Sequence, residues 1–85
     1  YKLYGNYPNP FNPTTTINYQ LPTTSHLTIK VYNLLGKEVA TLVDDVKQAG
    51  SHSVTFDGSG LAGGVYLYQL KTANYTDTKK CLFLK

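Results

Sequence analysis

An antiparallel β-sandwich is the fold this sequence predicts, on three observations. Apolar and polar residues alternate with period two over most of the chain. Turn-forming stretches interrupt that alternation at short, regular intervals. No segment repeats its apolar residues at helical spacing, so nothing supplies the crossovers that parallel strands need. Composition agrees: eight tyrosines, 41% hydrophobic and only 15% charged residues suit strands rather than a disordered chain.

The elements follow in order. Tyr1 to Tyr4 offer a short first strand. In "YPNPFNP", Pro8, Pro10 and Pro13 each fix φ near about −65°, remove an N–H donor and disfavour helix in the preceding residue. Residues 1–14 therefore read as a stiff, extended, proline-rich lead-in, with Tyr7 and Phe11 free to pack on the body of the domain, and 15–85 as the sandwich. The same prolines also guard an edge against aggregation. Ile17, Tyr19 and Leu21 alternate with Asn18 and Gln20 until Pro22 closes the strand. Leu27, Ile29 and Val31 alternate with Thr28, Lys30 and Tyr32. "NLLG" turns the chain into a strand from about Glu38 to Val46, where the alternation slips around Thr41 to Val43, as at a β-bulge. "AGSHSVTFDG" places His52, Val54 and Phe56 on one face. "VYLYQLKTA" is the longest strand signal, with Tyr66, Tyr68 and Leu70 on one face, and "NYTD" turns it into the last strand, "TKKCLFLK". There either Leu82 and Leu84 or Cys81 and Phe83 cover the core.

Several classes of function are disfavoured. At 85 residues the chain is one domain, and its single cysteine allows no internal disulfide. The net charge of +3 comes from lysines scattered without an arginine-dense block, so no phosphate-tracking surface and no nucleic-acid partner is expected. No apolar run approaches the roughly 20 residues of a membrane helix and no basic-then-apolar leader opens the chain, so membrane insertion is not expected. The sequence begins at Tyr1 without methionine, and is expected to derive from a longer polypeptide with any export signal upstream.

Chemical motifs are sparse. "GSGLAG", residues 58–63, has the glycine spacing of a dinucleotide loop, but it leads through Gly64 into a β-branched strand instead of a helix N-terminus. It reads as an interstrand loop opened by Asp57-Gly58. His26, His52 and Cys81 show no metal-ligand spacing, and no cofactor is expected. Asp44 and Asp45 are adjacent, point to opposite faces of a strand and read as solvated edge charges. Loop carboxylates and carbonyls leave a calcium ion open as an alternative. Asn74 stands in an Asn-Tyr-Thr glycosylation sequon that is equally a plain hairpin turn. Nothing has the order of a catalytic triad, and an enzyme is not expected.

The succession "YPNPFNPTTTINYQLP", "LTIKVYNLLGKEVATLV", "AGSHSVTFDG", "LAGGVYLYQL" and "TKKCLFLK" resembles the type A C-terminal sorting domain of proteins exported by the type IX secretion system of Bacteroidetes and related bacteria. The resemblance runs from about Leu3 to Lys85. The family often has tryptophan where Phe56 stands and methionine where Cys81 stands; both departures keep apolar bulk.

The resemblance implies an immunoglobulin-like sandwich of about seven short strands that serves as an address for a covalently attached upstream cargo. It implies recognition by an outer-membrane translocon and removal by a sortase-like protease, with the periplasm as the place of transit and the outer-membrane surface or the medium as the destination. The family's characteristic elements fall on Pro8 and Pro10, on Gly64 and Tyr66, and on Lys79 to Lys85. Tyr66 reads as core before contact, and Gly64 as a backbone position needing positive φ or a close neighbour. Lys79, Lys80 and Lys85 add little to a core and are the leading candidates for recognition, together with Leu82 and Leu84. A monomer or weak dimer is expected. The competing reading is an immunoglobulin-like structural or carbohydrate-binding accessory module of a secreted enzyme, with tyrosines as a sugar platform; it lacks the exposed tryptophan usual on such surfaces.

Overall fold

A computed structural model describes residues 1–85 and shows seven strands and no helix. They are β1 (Lys2–Leu3), β2 (Thr14–Leu21), β3 (Ser25–Tyr32), β4 (Glu38–Lys47), β5 (Gly50–Asp57), β6 (Gly64–Lys71) and β7 (Thr76–Phe83). One antiparallel sheet has the order β1-β2-β5 and the other β4-β3-β6-β7. The two pack as a sandwich, because β2, β3 and β6 bury alternate side chains and each sheet needs a partner for its apolar face. The chain changes sheet between β2 and β3, between β4 and β5, and between β5 and β6.

The core is drawn from alternate residues, as the pattern requires. Ile17, Tyr19 and Leu21 of β2 face Leu27, Ile29 and Val31 of β3 and Tyr66, Tyr68 and Leu70 of β6 across the interior, with Phe56 beside them. Fully burying side chains of this size is worth roughly 1.5–3 kcal/mol each, and no disulfide adds to it. On β7, Cys81 and Phe83 take the core positions while Leu82 and Leu84 face outward, Leu84 being 52% exposed. Burial pushes the Tyr68 phenol up to about 12 and the Cys81 thiol up to about 11.

Strand β4 slips register against β3 twice, between Ile29 and Lys30 and between Val31 and Tyr32. The first slip leaves Leu42 unpaired, within the stretch where the sequence alternation breaks. Asn74 lies in the β6–β7 turn, and the 58–63 loop holds its shape through the Leu61 N–H bonding to the Gly58 carbonyl at 2.9 Å.

The proline segment straps one end of the sandwich, and of the two aromatic residues expected to pack on the body only Phe11 does so. Tyr7 exchanges two backbone hydrogen bonds of 2.9 Å with Thr16 of β2, and Phe11 makes a parallel bridge to Phe83 of β7. Phe11 is 1% exposed, whereas Tyr7 is 79% exposed and does not pack on the body. Alternation explains neither outcome, because both follow from which backbone groups the strap pairs with.

Candidate recognition pole

Strand register sorts the molecule into two ends. Across the larger sheet Tyr32 lies beside Leu67, which lies beside Lys80, and Gly64 lies beside Phe83. The β3–β4 turn, the 58–63 loop, the start of β6, the end of β7 and the strap therefore share one pole. The turns after β2, β4 and β6 share the other.

At the first pole the strap closes the free edge of β7. The Phe11 N–H donates to the Leu82 carbonyl at 3.0 Å, and the Leu84 N–H donates to the Phe11 carbonyl at 2.9 Å. Asn9 Oδ1 accepts the Leu82 N–H at 3.1 Å. Thus a segment near residue 10 supplies the hydrogen bonds that β7 would otherwise leave to water or to another chain. The Phe11 ring stacks on Phe83 at 5.1 Å and tilts against Phe56 at 5.5 Å.

Other side chains anchor the strap. The buried Asn6 donates through Nδ2 to the Pro8 carbonyl at 3.2 Å and to Thr15 Oγ1 at 3.1 Å, and the Thr15 hydroxyl donates to the same carbonyl at 2.8 Å. The Gly58 N–H donates to the Pro13 carbonyl at 2.9 Å. A Cβ at Gly58 would come within 3.1 Å of the Phe83 ring and 3.3 Å of the Phe11 ring, so a side chain here requires the two rings to shift by a few tenths of an ångström. Asn6, Asn9, Thr15 and Gly58 were not legible as site residues. Asn9 sits between two prolines, which marks a turn but not its distant partner.

The expected recognition residues fall at or near this pole. Gly64 has φ +147°, the positive value its place in the sequence suggested. Tyr66 is buried, and its hydroxyl donates to the Ala62 carbonyl at 2.5 Å, which ties the 58–63 loop to β6. Lys80 is exposed on the outer face with Leu82. Lys85 is exposed, and its Nζ donates to the Leu61 carbonyl at 3.1 Å. Lys79 is different: it is only partly exposed and takes an inward position opposite the buried Tyr68. Its expected terminal exposure is thus corrected by strand parity. Pro8, Pro10 and Pro13 are exposed along the strap. A shallow groove of about 230 Å³, lined by Asn9, Val65, Lys80, Cys81 and Leu82, joins strap, β6 and β7.

The remaining chemical candidates stay apart. His26 Nε2 lies 3.0 Å from Asp44 Oδ1 on the outer face of β3 and β4. His52 stacks on Tyr19 and donates to the Gln48 carbonyl at 2.8 Å. Cys81 is buried, and no three His, Cys, Asp or Glu side chains gather in one place.

Comparison with known proteins identifies the family. Residues 6–83 match the family described as "Secretion system C-terminal sorting domain". Neither a curated protein nor a solved structure matches the chain. The matched span begins at Asn6, the residue that anchors the strap, and ends at Phe83, on which Phe11 stacks. This family consists of sorting signals rather than catalysts, and membership implies an upstream cargo, recognition by the secretion system and export through the envelope. The chain belongs to the C-terminal sorting domain family of the type IX secretion system.

Proposed function

We propose that this domain carries its cargo from the periplasm across the outer membrane by presenting the strap pole to the type IX translocon. A sortase-like protease then removes it. The observation that carries this reading is the convergence of the strap, Gly64 and the outward residues of β7 on one pole. Lys80, Leu82, Leu84 and Lys85 are the contact residues in this reading. Gly64 and Tyr66 shape the pole from within, and Lys79 contributes from its half-buried place beside Tyr68. Pro8, Pro10 and Pro13 stiffen the lead-in, which limits the entropy lost when the pole is engaged. The domain performs no hydrolysis and requires no metal.

The test places residues 1–85 behind a periplasmic reporter in a bacterium with a type IX system. The reporter is expected at the cell surface, with a mass showing that the domain has been cut away. Reporter retained in the periplasm would defeat the sorting reading. Surface reporter that still carries the domain would defeat only the removal step.

A further inference from the structure

The β3–β4 turn, residues 33–37, carries two leucines that the fold does not use. Leu34 is 68% exposed and Leu35 is 93% exposed. Neither belongs to the core cluster or packs against it. A lone exposed leucine is ordinary, but two adjacent ones on a fixed turn are not.

The turn is fixed by bonds that leave the leucines nowhere to fold back. The Asn33 N–H donates to the Lys37 carbonyl at 2.9 Å, and the Gly36 N–H donates to the Asn33 carbonyl at 3.0 Å. Asn33 Oδ1 accepts both the Leu35 N–H at 2.9 Å and the Lys37 N–H at 3.0 Å. Gly36 has φ +83°, which side chains rarely adopt. Asn33 and Gly36 thus satisfy the turn by themselves, and polar residues at 34 and 35 would serve it equally well. An apolar pair held in one conformation loses little entropy on binding, which is the character of an interface anchor.

We propose that Leu34 and Leu35 insert into an apolar, acid-rimmed pocket on a protein of the secretion machinery, as a second anchor beside the β7 contacts. The proposal rests on the recognition reading. Charge selects the rim: Lys37 is exposed and forms no ion pair, whereas the neighbouring Glu38 is engaged by Lys30 at 3.2 Å. A shaped pocket gains from a rigid turn, whereas a bilayer does not need one and would receive only two leucines and a lysine. A second copy that offers a pocket elsewhere on its surface is the remaining alternative, and sedimentation separates it from a protein of the machinery.

The test compares reporter fusions carrying the intact domain, the pair Leu34→Asn with Leu35→Asn, the pair Leu34→Met with Leu35→Met, and Lys37→Glu. The asparagine pair is expected to lower surface reporter at least about tenfold with an unchanged melting temperature. The methionine pair should restore it, and Lys37→Glu should lower it severalfold. Normal export of the asparagine pair, or a fall in its melting temperature that accounts for the loss, would overturn the proposal while leaving the recognition reading intact. So would binding of the intact domain to phosphatidylglycerol vesicles, or self-association in sedimentation, that the asparagine pair abolishes. Failure of the intact fusion to reach the surface would overturn both readings.

Discussion

The two poles of the sandwich are built by different means. At the strap pole the ties that join its segments to one another are between residues far apart in sequence: Asn9 with Leu82, Phe11 with Leu82 and Leu84, Pro13 with Gly58, and Lys85 with Leu61. At the opposite pole most are local. The Ser25 hydroxyl donates to the Thr23 carbonyl at 3.0 Å, the Thr72 N–H to the Tyr75 carbonyl at 2.8 Å, and His52 to Gln48. Stacking of Tyr1 on Tyr75 at 5.0 Å is the main long-range addition there. A turn made of local bonds keeps its shape whenever its hairpin forms, whereas the strap pole exists only when the first and last strands have met. Substitutions should therefore be costlier at the strap pole.

Phe11→Ala should cost the most, about 3–5 kcal/mol, because it empties a buried site between Phe56 and Phe83. Denaturant unfolding of the 85-residue chain measures it, and a cost below about 1 kcal/mol would mean that the strap is an ornament. Gly64→Ala should cost about 1–3 kcal/mol through its positive φ, although a Cβ there meets no atom. Asn9→Ala removes the acceptor for the exposed Leu82 N–H and should cost about 0.5–1.5 kcal/mol, with faster amide exchange at Leu82 as its local sign. Asn74→Ala, in the turn at the other pole, should change stability by less than about 0.5 kcal/mol. Equal costs for Asn9→Ala and Asn74→Ala would erase the distinction.

Titration probes the layer between the poles, and its effect at neutral pH is nil. Tyr68 and Cys81 have folded values raised by burial above their ordinary 10.0 and 9.0. Each holds its proton more tightly when folded, so its stabilising share is complete below the ordinary value and is lost as pH rises toward the folded one. The melting temperature should fall between about pH 9 and 12, and Tyr68→Phe should flatten the upper part of that fall.

The strands were legible because one-sided burial writes itself into period-two alternation, and even the β4 bulge left its mark at Thr41 to Val43. The strap pole was legible only in part. Alternation on β7 fits Leu82 and Leu84 as well as Cys81 and Phe83, and the choice is made by the Phe11 and Phe56 rings waiting on the inner side. The same parity takes Lys79 inward, against the exposure its charge suggested. Gly58 looked like a flexible loop residue, and the tight packing around it arises from two rings that approach from residues 11 and 83. Tyr7 and Phe11 look alike in the sequence, and only tertiary pairing buries one and exposes the other.

Placement of the sorting signal at the strap pole is tested most directly by charge-matched export. One fusion carries Lys80→Gln and Lys85→Gln at the strap pole, and a second carries Lys47→Gln and Lys71→Gln at the ends of β4 and β6 on the opposite pole. Both remove two charges and should leave the melting temperature within a few degrees of the parent. The first reporter is expected to remain in the periplasm and the second to reach the surface. Surface display of the first, with retention of the second, would contradict the placement of the signal at the strap pole.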